Sequence, residues 1–195
     1  MFILFSARNC RVVGAFVLAL ATVLTLHSQP TPQESPAPPD LLVALRKDLP
    51  DLLDANYIDC FQHSSVPFEK HFTFWMFVKS RNPPTAICVS PIGPPCWPST
   101  NNSAIWIYAK TKRGGPWYRV LETDGFEVIP LHIKSKGLPD LKVTAHSSAV
   151  EVYEYTFRFT GPGYQRIGCK TLTLRDMATG VEFSPPHERP CDGPC

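Results

Sequence analysis

An uncharged apolar run from Val12 to Leu26 stands behind Arg8 and Arg11 at the start of this chain. Its length, roughly 15 residues, fits the core of an export leader and falls short of the roughly 18–20 that span a bilayer. Residues 1–28 are therefore expected to form a signal peptide or an uncleaved anchor. Two cleavage points are open: Ala19-Leu20-Ala21 has the small-x-small form, and a cut after Ser28 keeps the apolar core whole. Cys10 precedes the run, which is not where a lipoprotein leader carries its cysteine. The consequence for folding is chemical. The remainder of the chain matures where thiols oxidise, in a secreted or periplasmic setting, so its cysteines become candidate staples.

The leader also accounts for the charge. Lys and Arg number 19 against 17 Asp and Glu, and removing Arg8 and Arg11 leaves the remainder balanced at 17 of each. Without a basic excess or a Lys/Arg cluster, nucleic acid finds no electrostatic footprint. Membrane contact is expected only through the leader, if it stays uncut. The partner expected is an unidentified envelope or extracellular ligand, and no cofactor is expected.

Residues 29–40 (QPTPQESPAPPD) carry five prolines and no large apolar side chain, which reads as an extended Pro-rich linker. Residues 41–183 read as a single disulfide-containing β-rich domain, and residues 184–195 as a Pro/Cys-rich tail. Leu41, Leu42, Leu45 and Leu49 share one helical face, with Asp40 as the expected N-cap and Pro50 as the stop.

Beyond Asn56 the apolar period drops from about 3.6 to 2. Tyr153, Tyr155, Phe157 and Phe159 alternate with Glu154, Thr156 and Arg158. Phe72, Phe74, Met76 and Val78 form another apolar face, opposed by Thr73, Trp75 and Lys79. Ile105–Ala109, Tyr118–Leu121, Leu141–His146 and Thr171–Arg175 alternate in the same way. Asp124-Gly125 predicts a tight hairpin between Tyr118–Thr123 and Phe126–Leu131. Gly114-Gly115-Pro116 and Gly161-Pro162-Gly163 read as further strand connections, and the prolines of 185–194 as loop and tail. The fold class expected is mainly β with an α+β margin: an antiparallel sheet domain, sandwich- or barrel-like, with one short N-terminal helix.

Six cysteines lie beyond the leader: Cys60, Cys88, Cys96, Cys169, Cys191 and Cys195. Proximity favours Cys88–Cys96 across a proline-rich loop, while Cys60 and Cys169 border strands and suit long-range staples. Cys191 and Cys195 either pair together or tie the tail to the body. The recurrence of His187, Cys191 and Cys195 every four residues also offers a metal- or redox-handling alternative, although Pro185, Pro186, Pro190 and Pro194 exclude one helical face.

Recognisable catalytic signatures are absent: no Gly-x-Ser-x-Gly, His-Glu-x-x-His, phosphate loop or dinucleotide fingerprint occurs. His63, His71, His132, His146 and His187 are scattered, and neighbours such as His146 and Ser147 point to opposite faces of a strand. No catalytic residue is named. Asn101-Asn102-Ser103 matches a glycosylation sequon and also reads as a polar turn before a strand. The leading function is a non-catalytic exported domain with a binding or structural role, using exposed aromatics: Trp75, Trp106, Trp117 and Tyr118, with Trp97. A hydrolase of unrecognised class is the catalytic alternative.

Gly137-Leu138-Pro139-Asp140-Leu141-Lys142-Val143, then Tyr155-Thr156-Phe157-Arg158-Phe159-Thr160-Gly161 and Tyr164, resemble a group of small exported bacterial proteins without an assigned activity. The resemblance covers about residues 104–170, with Cys169 as the later cysteine. It implies a bacterial envelope or secreted domain and transfers no catalytic residue. The same Gly-x-Pro-Asp-Leu turn is similar to the strand-leading element of integrin-type propeller repeats. Lys134-Ser135-Lys136 stands where those repeats place calcium-binding carboxylates, and the chain has no internal period.

Overall fold

In the computed structural model the chain enters its folded region through prolines. β1 (Gln33–Glu34) lays part of the Pro-rich segment against a later strand, and α1 (Pro39–Leu52) starts directly after Pro38. Pro39 fits the first helical turn, where a missing N–H removes no intrahelical bond. Asp40 therefore lies inside the first turn rather than capping it, and the helix runs through Pro50 rather than stopping there. Pro50 falls in the last turn, and the Leu53 N–H still reaches the Leu49 carbonyl at 3.0 Å. Leu41, Leu45 and Leu49 are buried, as their spacing predicts. A second helix, α2 (Ala55–His63), occupies residues where the sequence predicts strand periodicity to begin. Asp54 caps it, accepting from the Asn56 and Tyr57 N–H groups at 3.1 and 3.5 Å.

The structure describes residues 33–34, 36–78, 84–93, 96–97 and 101–191; the expected leader, residues 1–28, and Cys195 lie outside them. The described residues all fall within one compact unit, Pro32–Cys195. β2 (Phe72–Val78), β3 (Thr85–Pro91), β4 (Ser103–Lys110) and β5 (Tyr118–Gly125) join β1 in a sheet ordered β1-β2-β3-β4-β5. β6 (Glu127–Ser135), β7 (Leu138–His146), β8 (Glu151–Phe159), β9 (Tyr164–Arg175) and β10 (Glu182–Pro190) form the second sheet, ordered β10-β9-β8-β7-β6. Every pairing is antiparallel, so the fold is a mainly β, sandwich-like domain, with two α-helices rather than one among the described residues. Among the described residues no helix is long and apolar enough to cross a membrane.

Two cores account for the layering. Leu41, Leu45, Leu49 and Phe61 of the helices meet Phe72, Phe74, Ile87, Val89, Trp106 and Tyr108 on one face of the first sheet. On its other face, Ala86, Cys88, Ile105, Ile107 and Ala109 meet Leu138, Leu141, Val143, Phe157 and Phe159 of the second sheet. The first sheet is thus a middle layer. In β3 every residue but Thr85 is buried, as is the Ile105–Ala109 stretch of β4, which is why β3 shows no alternation and is invisible to a period-2 search. A register shift between Met76 and Val78 turns Val78 to the inter-sheet side, away from the face of Phe72, Phe74 and Met76.

β10 corrects the reading of the prolines of 185–194 as loop and tail as far as Pro190, because Glu182 and His187–Pro190 pair with β9; residues 192–195 lie outside the described residues. Prolines are admissible there because β10 is the sheet edge.

Asp124-Gly125 is not a hairpin. β5 and β6 belong to different sheets, and the chain crosses between them at this point, with the Phe126 N–H donating to the Thr144 carbonyl at 2.9 Å. The glycine answers a close approach instead: a Cβ at residue 125 would lie 2.7 Å from the Thr144 oxygen and 2.9 Å from Val143 Cγ1. The tight turn between β6 and β7 is at Lys136-Gly137, both with positive φ (49° and 92°). Lysine at that position hid the type I′ signature.

The disulfides are Cys60–Cys96 and Cys169–Cys191, spanning 36 and 22 residues. The expected Cys88–Cys96 pair is overturned: Cys88 is unpaired and faces the second sheet from β3, whereas Cys96 lies in the helix-side core. Cys60 sits in α2 rather than beside a strand.

Polar contacts orient α1 on the middle sheet. Tyr108 Oη donates to Asp48 Oδ2 at 3.0 Å, Trp117 Nε1 donates to Asp40 Oδ1 at 3.0 Å, and Lys110 forms an ion pair with Asp40. Partial burial pushes the Asp40 carboxyl up, but its bonds to Lys110 and Trp117 and the Lys110 charge outweigh this and hold it below its usual value. A depressed folded-state value stabilises the fold above the ordinary carboxylate range and loses that contribution as pH falls through it. Asp40→Asn should therefore lower the melting temperature near neutral pH, and the deficit should shrink below about pH 4; parallel thermal melts across that range measure it. Gly125→Ala should cost about 1–3 kcal/mol through overpacking, whereas alanine at Gly115, whose nearest neighbour is a Lys112 oxygen at 3.1 Å, should cost less. Urea denaturation midpoints compare the two.

Candidate functional site

Three connections meet at one end of the sandwich and leave an open depression of about 490 Å³ between them. Trp97, Asn101 and Asn102 come from the β3–β4 connection, Asp124 from the end of β5, and His146 to Ala149 from the β7–β8 hairpin. Register sets these positions, since Ala104 pairs with Asp124 in the first sheet and His146 with Val152 in the second.

Asn102 joins the walls. Its Nδ2 donates to the His146 carbonyl at 2.9 Å, and its Oδ1 accepts the His146 N–H at 2.7 Å. The side-chain amide thus takes the place of a neighbouring strand's peptide group. Ser148 Oγ accepts the Val150 and Glu151 N–H groups at 3.2 and 3.1 Å, fastening the hairpin. The His146 ring stacks on Phe126 with centroids 4.2 Å apart, and Trp97 lies against Tyr57 at 4.9 Å. Trp97 Nε1 is buried without a protein partner. Asn101, Asp124 and Ser147 are exposed and face solvent from the rim.

The sequence-predicted site residues are not assembled here. Trp106 and Trp117 are core side chains, 1% and 8% exposed on the helix side, while Trp75 and Tyr118 are half-buried against the inter-sheet core. The expected exposed aromatic patch is corrected accordingly: these rings fill two interiors on opposite faces of one sheet. Of the aromatics named, Trp97 alone lines the depression.

The tail metal set fares no better. Cys191 is bonded to Cys169, the His187 ring stacks on Phe183 at 3.8 Å, and Cys195 lies outside the described residues. Among the described residues no group of three or more His, Cys, Asp or Glu side chains is placed to hold a metal ion. Of the five histidines after residue 28, His146 is the one that lines the depression. His63 pairs with exposed Asp59 on α2, and His71 is buried edge-on to Phe61.

A second polar cluster is structural. Buried Asp140 accepts from Ser135 Oγ at 2.7 Å and Arg158 Nε at 3.1 Å, while Tyr164 Oη donates to the Pro139 carbonyl at 2.8 Å. Burial, then the Asp140 charge, drives the Tyr164 phenol up. These groups satisfy one another beneath the β6–β7 turn and leave nothing aimed at a ligand.

Comparison with family models, with curated proteins and with solved structures gives no match for this chain.

Sequence reasoning read Asn102 as part of a polar turn and Asp124 as half of a hairpin turn rather than as site residues, because the depression is made of segments brought together only by strand register. Asn102→Ala would strand the His146 N–H and carbonyl. It should lower stability by about 1–3 kcal/mol, against less than about 0.5 kcal/mol for Asn101→Ala, by urea denaturation.

Proposed function

We propose that this chain is an exported, non-catalytic binding domain of the bacterial envelope or its surroundings, with the depression at the sandwich end as its ligand site. The observation that carries export is the use of cysteine. Four of the six cysteines after the leader form two bridges between segments 36 and 22 residues apart, chemistry that persists in an oxidising compartment. The apolar run Val12–Leu26 supplies the matching address. Binding rests on the depression, whose size falls within the roughly 300–1,000 Å³ of small-molecule sites and whose rim keeps a carboxylate and an amide facing solvent.

The hydrolase alternative draws on His146, Ser147, Ser148 and Asp124 all lining the depression. Nucleophilic catalysis requires a base within hydrogen-bond reach of the nucleophile. The His146 ring is instead engaged on Phe126, and the Ser148 hydroxyl holds two backbone N–H groups. The binding reading is the better supported.

Each bridge is worth about 3–4 kcal/mol in the chain-entropy model for loops of these lengths. Protein recovered unreduced from its native host should yield Cys60–Cys96 and Cys169–Cys191 as linked peptides. Cys88, its thiol pushed up to about 12 by burial, should be alkylated only after denaturation. Cytosolic recovery with all six thiols rapidly alkylated in the native state would overturn the reading.

A further inference from the structure

Resting on that reading, we infer that the ligand of the depression is a neutral saccharide, gripped at the rim by Asp124 and Asn101 beside the Trp97 ring. Three observations select this class. First, among the described residues no Lys or Arg lines the depression, so an anionic ligand meets no counter-charge. Second, the solvent-facing polar groups alternate in kind. The Asp124 carboxylate accepts only, the Asn101 amide both donates and accepts, and the Ser147 hydroxyl does either. Adjacent hydroxyls of a sugar ring, each donor and acceptor at once, satisfy such a set without any charge on the ligand. Third, an aromatic wall stands beside them: Trp97 is fixed by its contact with Tyr57, and the indole offers an apolar surface to the C–H face of a pyranose.

The framework around these groups is held in advance. Asn102 ties the two walls through both polar atoms of its amide, and Ser148 fastens the hairpin, so neither is needed for contact with the ligand. A site built in this way loses little freedom on binding. Its openness keeps the affinity modest. A peptide is less well matched, because its recognition calls for an unpaired strand edge or a groove of apolar anchors, and this depression lies at strand ends with one aromatic wall.

The test uses the full exported chain, labelled with ¹⁵N and titrated separately with chitotriose, cellotriose, maltotriose and pentalysine. At least one trisaccharide should shift the Asn101, Asp124 and Ser147 amides with Kd on the order of 1 mM. Asp124→Asn should weaken that binding by about tenfold or more, as loss of a charge-assisted hydrogen bond does, with the melting temperature unchanged. Asn101→Ala provides an independent check at a residue with no structural tie. Silence of these amides to all three sugars at about 20 mM, or sugar shifts that map elsewhere, would overturn the saccharide assignment. If pentalysine moves the same amides instead, the sugar class falls and the binding reading stands; if no probe moves them, both fall.

Discussion

The middle sheet must be apolar on both faces, and the rest of the structure depends on meeting that demand. Neither helix nor outer sheet has another partner of comparable size: the helices bury their leucines on one side, and β7 and β8 bury Leu141, Val143 and Phe157 on the other. A strand with two buried faces must satisfy every polar group internally. In β3 and β4 the polar atoms that occur are answered: Ser90 Oγ donates to the Ala104 carbonyl at 2.8 Å, and Tyr108 reaches Asp48 in α1. The second bond shows how the layers are registered. Hydrophobic burial holds α1 on the sheet but leaves it free to slide, while Tyr108–Asp48 and Trp117–Asp40, about two helical turns apart, fix its direction.

The same demand explains which parts of the fold were legible. Where one face meets water, as in β8 with Arg158 exposed between buried Phe157 and Phe159, alternation declared the strand. The outer face of the second sheet is also polar in the expected way, with Glu154 between Lys142 and Lys170 at 3.0 and 3.3 Å and Lys170 reaching Glu188. Glu154 is largely covered while both lysines stay partly exposed, so the pairs mark the solvent side of the sheet. In β3 burial on both faces erased the period, so the strand at the centre of the first sheet went unseen. β10 was hidden by prolines that only an edge strand tolerates, and α2 by its short length.

Glycine and cysteine misled for a related reason: both report spatial neighbours rather than sequence neighbours. Gly125 looked like half of a hairpin turn and is in fact the place where β7 passes too close for a side chain. Cys88 and Cys96 are near in sequence, yet they leave the middle sheet on opposite faces, so the bond forms between Cys96 and α2. That bridge closes the helix layer over the sheet, and Cys169–Cys191 fastens the proline-bearing edge strand to its neighbour. The staples sit where the hydrogen-bonded framework is least continuous.

Elimination of surfaces locates the room this arrangement leaves for function. One face of the middle sheet is taken by helices and the other by the second sheet, whose own outer face is occupied by cross-strand ion pairs. The large aromatics that suggested a binding patch are consumed in making the two cores, so composition alone overstated the recognition surface. The ends of the strands remain, where connections from both sheets converge and where side chains are not required for packing. At the end bearing Trp97 the connections are tied together by Asn102, a residue whose chemistry imitates backbone, and this leaves Asn101, one position earlier, exposed and without a structural duty. Adjacent asparagines thus divide the work: one holds the wall in place, and the other is available to whatever the wall faces.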